Sequence, residues 1–301
     1  MAIPQNEKIS ILSAASILGL RPSGVEKLAQ NLLDNGLAAK LGTSKPVIQV
    51  PDLNSEYDPL RSRPDSILNE AALARFTNGL FSIVREQLQN GSFPLVLGGD
   101  CSILLGCMAA VKSTGKNGLF FVDAHADFYS PGTSTTGEAA DMDLALATGR
   151  GPESLTNLNG LRPYVQDPHV IHFGQRDQEE SLYYGSPDIC ETRVHCISND
   201  TIQREGIPAV LKKAAALTKK HPADGYWIHF DTDSLSDDVN PAVDYRLPGG
   251  LGFGQAEELL RSLLTDYPIL GMTVTIFNPS LDTDGSVSAA ITDSLVRVFE
   301  V

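Results

Sequence analysis

A chain of 301 residues, 42% hydrophobic and 20% charged, is long enough for a substantial core and has the balance of a soluble globular enzyme. Its formal net charge of −14 argues against the basic face that a nucleic-acid binder needs. No apolar run reaches the length of a membrane span, so no membrane partner is expected. Four cysteines, Cys101, Cys107, Cys190 and Cys196, are too few for a disulfide framework, and no pair has Cys-x-x-Cys spacing. The mildly apolar run from Ile9 to Leu20 is interrupted by Ser10, Ser13 and Ser16 and lacks the flanks of a secretory signal. The expected compartment is the cytoplasm.

Along the chain, Lys8 to Ala14 reads as a strand, followed by a Gly/Pro/Ser-rich loop (Gly19 to Gly24) and a helix from Val25 to Leu41. Val47 to Val50 is a second strand, and Pro51 to Asp65 an exposed loop. Asn69 to Gln89 is the clearest amphipathic helix: Leu73, Phe76, Leu80, Ile83, Val84 and Leu88 recur at three- and four-residue steps, and Asn90-Gly91 stops it. Pro94 to Leu97 is a short buried strand broken by Gly98-Gly99, with a helix from Ile103 to Lys112 behind it. The next buried strand, Leu119 to Val122, leads to a Gly/Ser/Thr-rich loop from Ser130 to Gly137. Strands at Val170–Phe173, Gly225–Phe230 and Ile269–Phe277 then alternate with helices at Ile207–Lys220, Gln255–Thr265 and Val287–Phe299. This alternation predicts a parallel sheet covered on both faces, in one domain over residues 1–301. Ligands of such sheets bind beyond the carboxyl ends of the strands.

Polar residues of one kind collect at those ends. Leu119 to Val122 is followed by Asp123, His125 and Asp127 at alternate positions, which an extended chain would throw onto one side. The strand ending at Phe230 is followed by Asp231 and Asp233 in the same rhythm. Carboxylates and an imidazole converging at buried strand ends are costly unless a cation sits among them, and a divalent metal is the obvious candidate. Gly252-Phe253-Gly254 has the wrong spacing for a dinucleotide loop. His169, His172, His195 and His221 have no partner spacing and read as structural; His229, inside its strand, reads as a satisfied core or supporting group.

The blocks Gly98-Gly99-Asp100-Cys101-Ser102, Asp123-Ala124-His125-Ala126-Asp127 and Asp231-Thr232-Asp233 resemble those of the ureohydrolases: arginase, agmatinase, formiminoglutamase and their relatives. Gly174-Gln175-Arg176-Asp177, Pro241-Ala242, Gly249-Gly250-Leu251 and Asn278-Pro279-Ser280-Leu281 extend the likeness in family order. The resemblance implies a three-layer α/β/α fold around an eight-stranded, mostly parallel sheet. It implies two Mn²⁺ ions bridged by a hydroxide that attacks a C–N bond of a linear guanidino, amidino or formimidoyl compound. One ion would take Cys101, Asp123, Asp127 and Asp231; the other would take Asp123, His125, Asp231 and Asp233. Asp127 would also orient the nucleophile, and the protein would be a homo-oligomer, a trimer or hexamer.

Four departures bear on chemistry. Cys101 stands where the family has a histidine ligand, and its softer thiolate favours Zn²⁺ or Fe²⁺, with Ni²⁺ also admissible, over Mn²⁺. Ala140 stands where the family has a catalytic-loop histidine, and Ile276 where it has a guanidinium-binding glutamate. Glu138 replaces an asparagine that contacts a substrate carboxylate. The expected substrate is therefore smaller or carboxylate-free, with Glu138, Asp141 or Glu179 recognising its polar end. A paralogue without turnover, with a structural or regulatory role, is the alternative expectation.

Overall fold

Each buried apolar run is covered on both sides, which is what lets it stay extended without alternation. The computed structural model describes residues 3–115 and 117–300. Its strands are β1 (Ile9–Ala14), β2 (Ile48–Gln49), β3 (Phe93–Gly98), β4 (Asn117–Val122), β5 (Val170–Phe173), β6 (His195–Ile197), β7 (Gly225–Asp231) and β8 (Ile269–Thr275). They form one eight-stranded sheet in the order β2-β1-β3-β8-β7-β4-β5-β6. Every pairing between these strands is parallel.

The helices are α1 (Leu28–Asp34), α2 (Leu37–Lys40), α3 (Glu70–Gln89), α4 (Leu104–Lys112), α5 (Asp143–Ala147), α6 (Glu153–Thr156), α7 (Gln178–Tyr183), α8 (Asn199–Glu205), α9 (Ile207–Lys220), α10 (Phe253–Asp266) and α11 (Ser286–Phe299). They divide into two outer layers. Phe120, Ile228 and Met272 on one sheet face pack with Leu32 of α1, Val210 of α9, Leu259 of α10 and Leu295 of α11. Leu119, Phe121 and Trp227 on the other face pack with Leu80 of α3, Met108 of α4 and Leu146 of α5. Each such side chain, fully buried, contributes roughly 1.5–3 kcal/mol. No helix among the described residues is long and apolar enough to cross a membrane.

Three local expectations change. The helix predicted over Val25–Leu41 is interrupted at Asn35-Gly36, where Gly36 takes φ 83 and the chain restarts as α2. β6 was not foreseen: it is a three-residue edge strand whose His195 and Cys196 are only half-buried, too short and polar to stand out. The expected last strand also stops short, at Thr275.

The sheet order positions the site. The chain leaves one half at β3 and enters the other at β4, and β8 and β7 later fill the gap between them. The carboxyl ends of β3, β8, β7 and β4 therefore meet at the switch point, where open α/β sheets bind ligands.

Candidate metal centre

Glycine makes the first turn possible. A Cβ on Gly99 would lie 1.9 Å from the Ser16 carbonyl oxygen, so the turn after β3 admits no side chain there. Asp100 then accepts hydrogen bonds from the backbone N–H groups of Ser102 at 2.9 Å and Gly19 at 3.2 Å. That use of Asp100 leaves Cys101 facing inward, its Sγ 2.6 Å from Asp231 Oδ2 and 3.3 Å from Thr275 Oγ1.

The other acids converge by a route the strand rhythm does not describe. β4 stops at Val122 and β7 at Asp231, so the alternating positions beyond them are not extended. Asp127 instead takes φ 45, and Thr232–Ser234 form a 3₁₀ turn. His125 Nδ1 lies 2.9 Å from Asp233 Oδ2, and Asp233 Oδ1 accepts from the Ala124 N–H at 3.2 Å. Asp123 Oδ1 accepts from the His125 N–H at 2.7 Å, and Asp231 Oδ1 from the Asp233 N–H at 2.8 Å. Arg176 Nη2, from the loop after β5, donates to the Asp233 carbonyl at 2.7 Å and braces the arrangement.

Several buried atoms here have no protein partner: Asp123 Oδ2, both oxygens of Asp143, and His229 Nε2. Donor atoms fall within 4.8 Å of one another in three overlapping sets: Cys101, Asp123, His229 and Asp231; Cys101, Asp127 and Asp143; and Asp123, His125 and Asp127. Carboxylates, imidazoles and one thiol of this kind suit a divalent transition ion, and orphaned buried oxygens call for one. Asp233 stands outside those sets. The Ala124 N–H and His125 take up its two oxygens instead.

The electrostatics agree. Burial, reinforced by neighbouring carboxylates, pushes Asp127, Asp143 and Asp231 well above the ordinary carboxylate range. Burial opposes charge on His125 too, but Asp233 and Asp123 override it and hold its pKa well above normal. On His229 burial outweighs the upward pull of Asp233 and drives it down to about 3, leaving a neutral imidazole.

Above this floor opens a cavity of ≈ 340 Å³. Ala140 and Ile276 line it, and both belong to a buried apolar cluster with Ile17, Leu20, Val25, Cys101 and Val243. Ile276 takes φ 71, a left-handed conformation that costs a β-branched residue about 1–3 kcal/mol, while its N–H donates to the Gly99 carbonyl at 2.9 Å. The rest of the lining is rich in acids. Glu138 accepts from the Tyr245 hydroxyl at 2.8 Å, and Asp141 accepts from Ser134 and Thr136, each at 3.2 Å. Burial raises both, Asp141 to about 7. Asp177, Glu180 and Asp244 add further acid, and the lining includes no Lys or Arg among the described residues.

Glu179 requires correction: it is exposed on α7 and absent from the lining. The helical phase of α7 presents Asp177, Glu180, Ser181 and Tyr184 to the cavity instead. His229 also departs from its reading, since its Nε2 is unsatisfied. Asp143 was not singled out at all. The available signals were the two-residue step from His229 to Asp231 and the second acid of Asp141-Met142-Asp143.

Known proteins resemble this chain along its length. The profile described as "Arginase family" matches residues 43–299. An arginase of Staphylococcus aureus (strain COL) is 27% identical over 302 residues, covering 98% of this chain and 97% of its own. An arginase of Bacillus caldovelox is 29% identical, covering 95% of this chain and 97% of its own. The native crystal structure at pH 5.6 of arginase from that organism superposes with a TM-score of 0.87 at 26% identity, covering 98% of this chain and 99% of that one.

Proposed function

The chain belongs to the arginase family, and on that premise we propose that it is a metal-dependent hydrolase of a C–N bond in a linear guanidino, amidino or formimidoyl compound lacking a carboxylate. The observation that carries the reading is the convergence of Cys101, Asp123, His125, Asp127 and Asp231, with Asp123 Oδ2 unpartnered, at the floor of an acid-walled cavity.

Cys101, Asp123, His125, Asp127, Asp231 and Asp233 would hold two divalent ions, Mn²⁺ by kinship or Zn²⁺, Fe²⁺ or Ni²⁺ by the thiol. Such a pair supplies Lewis acidity and water acidic enough to act as hydroxide near neutral pH. The remaining work falls to the protein. Asp127 accepts a hydrogen bond from the nucleophile and orients it. Glu138, fixed by the Tyr245 hydroxyl, and Asp141 meet the cationic end of the substrate. A substrate carboxylate would meet the acids of the wall with no Lys or Arg in the lining to offset them. Ala140 and Ile276 offer the alkyl part a dry wall. We further take residues 1–301 as a single domain, acting in the cytoplasm as a trimer or hexamer.

One observation favours a second reading. Ala140 and Ile276 put apolar side chains where the resemblance expects a proton shuttle and a carboxylate, which suits a paralogue without turnover. Metal stoichiometry with Mn²⁺, Zn²⁺, Fe²⁺ and Ni²⁺ each offered, followed by a screen of carboxylate-free guanidines, amidines and formimidoyl compounds, separates the two. Two ions per chain with hydrolysis supports the hydrolase; no turnover of any of them, with metal bound, supports the paralogue.

A further inference from the structure

We infer that His229 is a metal ligand, its Nε2 joining Cys101 Sγ and carboxylate oxygens of Asp123 and Asp231 in a four-donor site suited to Zn²⁺, Fe²⁺ or Co²⁺. The inference rests on the metal-hydrolase reading and deepens it: the imidazole that the resemblance expects at position 101 is supplied from β7 instead.

The backbone comes first. His229 precedes Asp231 by two residues on β7, so both side chains leave the same face of the strand. The four donor atoms lie within 4.8 Å of one another, and all four residues are buried.

The tautomer follows from Thr273. Its hydroxyl donates to the Ile228 carbonyl at 3.4 Å, so its oxygen is left to accept, and His229 Nδ1 lies 2.8 Å from it. In this proposal Nδ1 carries the ring proton, given to the Thr273 oxygen, and Nε2 is a bare lone pair. Stacking on Phe121, with ring centroids 4.8 Å apart and planes 12° from parallel, fixes where that lone pair points.

It points at trouble unless a cation is there. Asp123 Oδ2 is 4.0 Å from Nε2, and neither atom has a hydrogen-bond partner. That separation is too long for a hydrogen bond. Two lone pairs facing each other in a fully buried site repel. Donors that each reach one tetrahedral ion at about 2.0–2.2 Å sit about 3.3–3.6 Å apart, so a closure of about half an ångström onto an ion relieves both atoms at once. A ring whose second nitrogen is pinned by a hydroxyl has the support that metal-binding histidines require. Thiolate and imidazole together favour a borderline ion over Mn²⁺.

The test uses full-length protein stripped of metal. On adding Co²⁺, the wild type is expected to show near-ultraviolet thiolate-to-cobalt absorption that Cys101→Ser loses. His229→Gln should weaken Co²⁺ binding about tenfold or more in a chelator competition. A folded His229→Gln variant with unchanged affinity and unchanged spectrum overturns the inference. Should that variant not fold, ¹⁵N-histidine NMR of the wild type decides. On Zn²⁺ loading, the Nε2 resonance of His229 should move to a metal-bound position while Nδ1 keeps its proton. Zn²⁺ bound with Nε2 protonated, or with its resonance unmoved, overturns the inference and leaves the hydrolase reading standing. Wild type that takes up neither ion overturns both.

Discussion

The two sides of the candidate centre solve the same electrostatic problem differently. On the His125 side, Asp233 is paired with an imidazole at 2.9 Å and a backbone N–H at 3.2 Å, and its pKa falls below the ordinary value although burial opposes this. On the Cys101 side, Asp123 Oδ2 and His229 Nε2 face each other unpaired, Asp143 crowds against Asp127, and burial drives the acids upward. Without metal, one side is already charge-paired within the protein. The other is complete only with a cation. Conserving a ligand type at every position is therefore not what a metal site needs; what it needs is that the unmet charge of the protein match that of the ion.

This contrast can be broken from either side. The largest effect is expected for Asp233→Asn in metal-free protein, which leaves the half-buried His125 imidazolium with only Asp123 at 3.7 Å and should cost about 3 kcal/mol in urea unfolding. A cost below about 1 kcal/mol would mean that the paired side is not paired in solution. Next is the metal itself: an ion that fits the Cys101 side should stabilise the wild type by about 2.7 kcal/mol at a concentration one hundredfold above its Kd. Asp123→Ala should lose most of that gain; a variant that keeps it would refute Asp123 as a ligand. Asp143→Asn should have opposite signs in the two states. Removing an acid whose charge burial opposes should stabilise the metal-free protein by about 1–2 kcal/mol and weaken metal binding in the same sample. Calorimetry with and without metal reads both.

The smallest effect lies on the acidic wall. Burial raises the Glu138 carboxyl, while the Tyr245 hydroxyl favours its ionised form. Because the folded pKa is raised, ionising Glu138 erodes stability as pH rises from the ordinary carboxylate value to the raised one, and its charge is available to substrate only above that window. KM for a cationic substrate should therefore climb as pH falls through the raised value. Tyr245→Phe removes a hydrogen bond of about 0.5–1.5 kcal/mol and should move that inflection to higher pH. An inflection that stays put, or moves down, would remove Tyr245 from this role.

Much of this was legible beforehand, for identifiable reasons. Leu119–Val122 and, apart from His229, Gly225–Phe230 announce themselves because a parallel strand buried on both faces leaves little room for a polar residue. Asp123, His125, Asp127, Asp231 and Asp233 are visible as acids and an imidazole at the ends of those runs. Their convergence was predicted by the wrong geometry, because the positive φ of Asp127 is a tertiary outcome with no local signature. Glu179 failed by one helical step: which side of α7 faces the cavity depends on where the helix begins, the least legible property of an element. His229 could not be judged alone either, since its proton is placed by Thr273 from β8, 44 residues later in sequence.

The sheet order carries a consequence for assembly. β1 to β3 and β4 to β6 are two separate half-sheets until β7 and β8, the last strands of the chain, slot between them. Cys101 and Asp123 hang on the two inner edges, so a folding or newly made chain holds half a chelate on each until residues 225–275 dock. Such long-range closure is slow, and metal capture becomes the signal that the middle of the sheet has closed. Pulse-labelled hydrogen exchange during refolding should find β7 and β8 protected last; early protection there would dissolve that order of events.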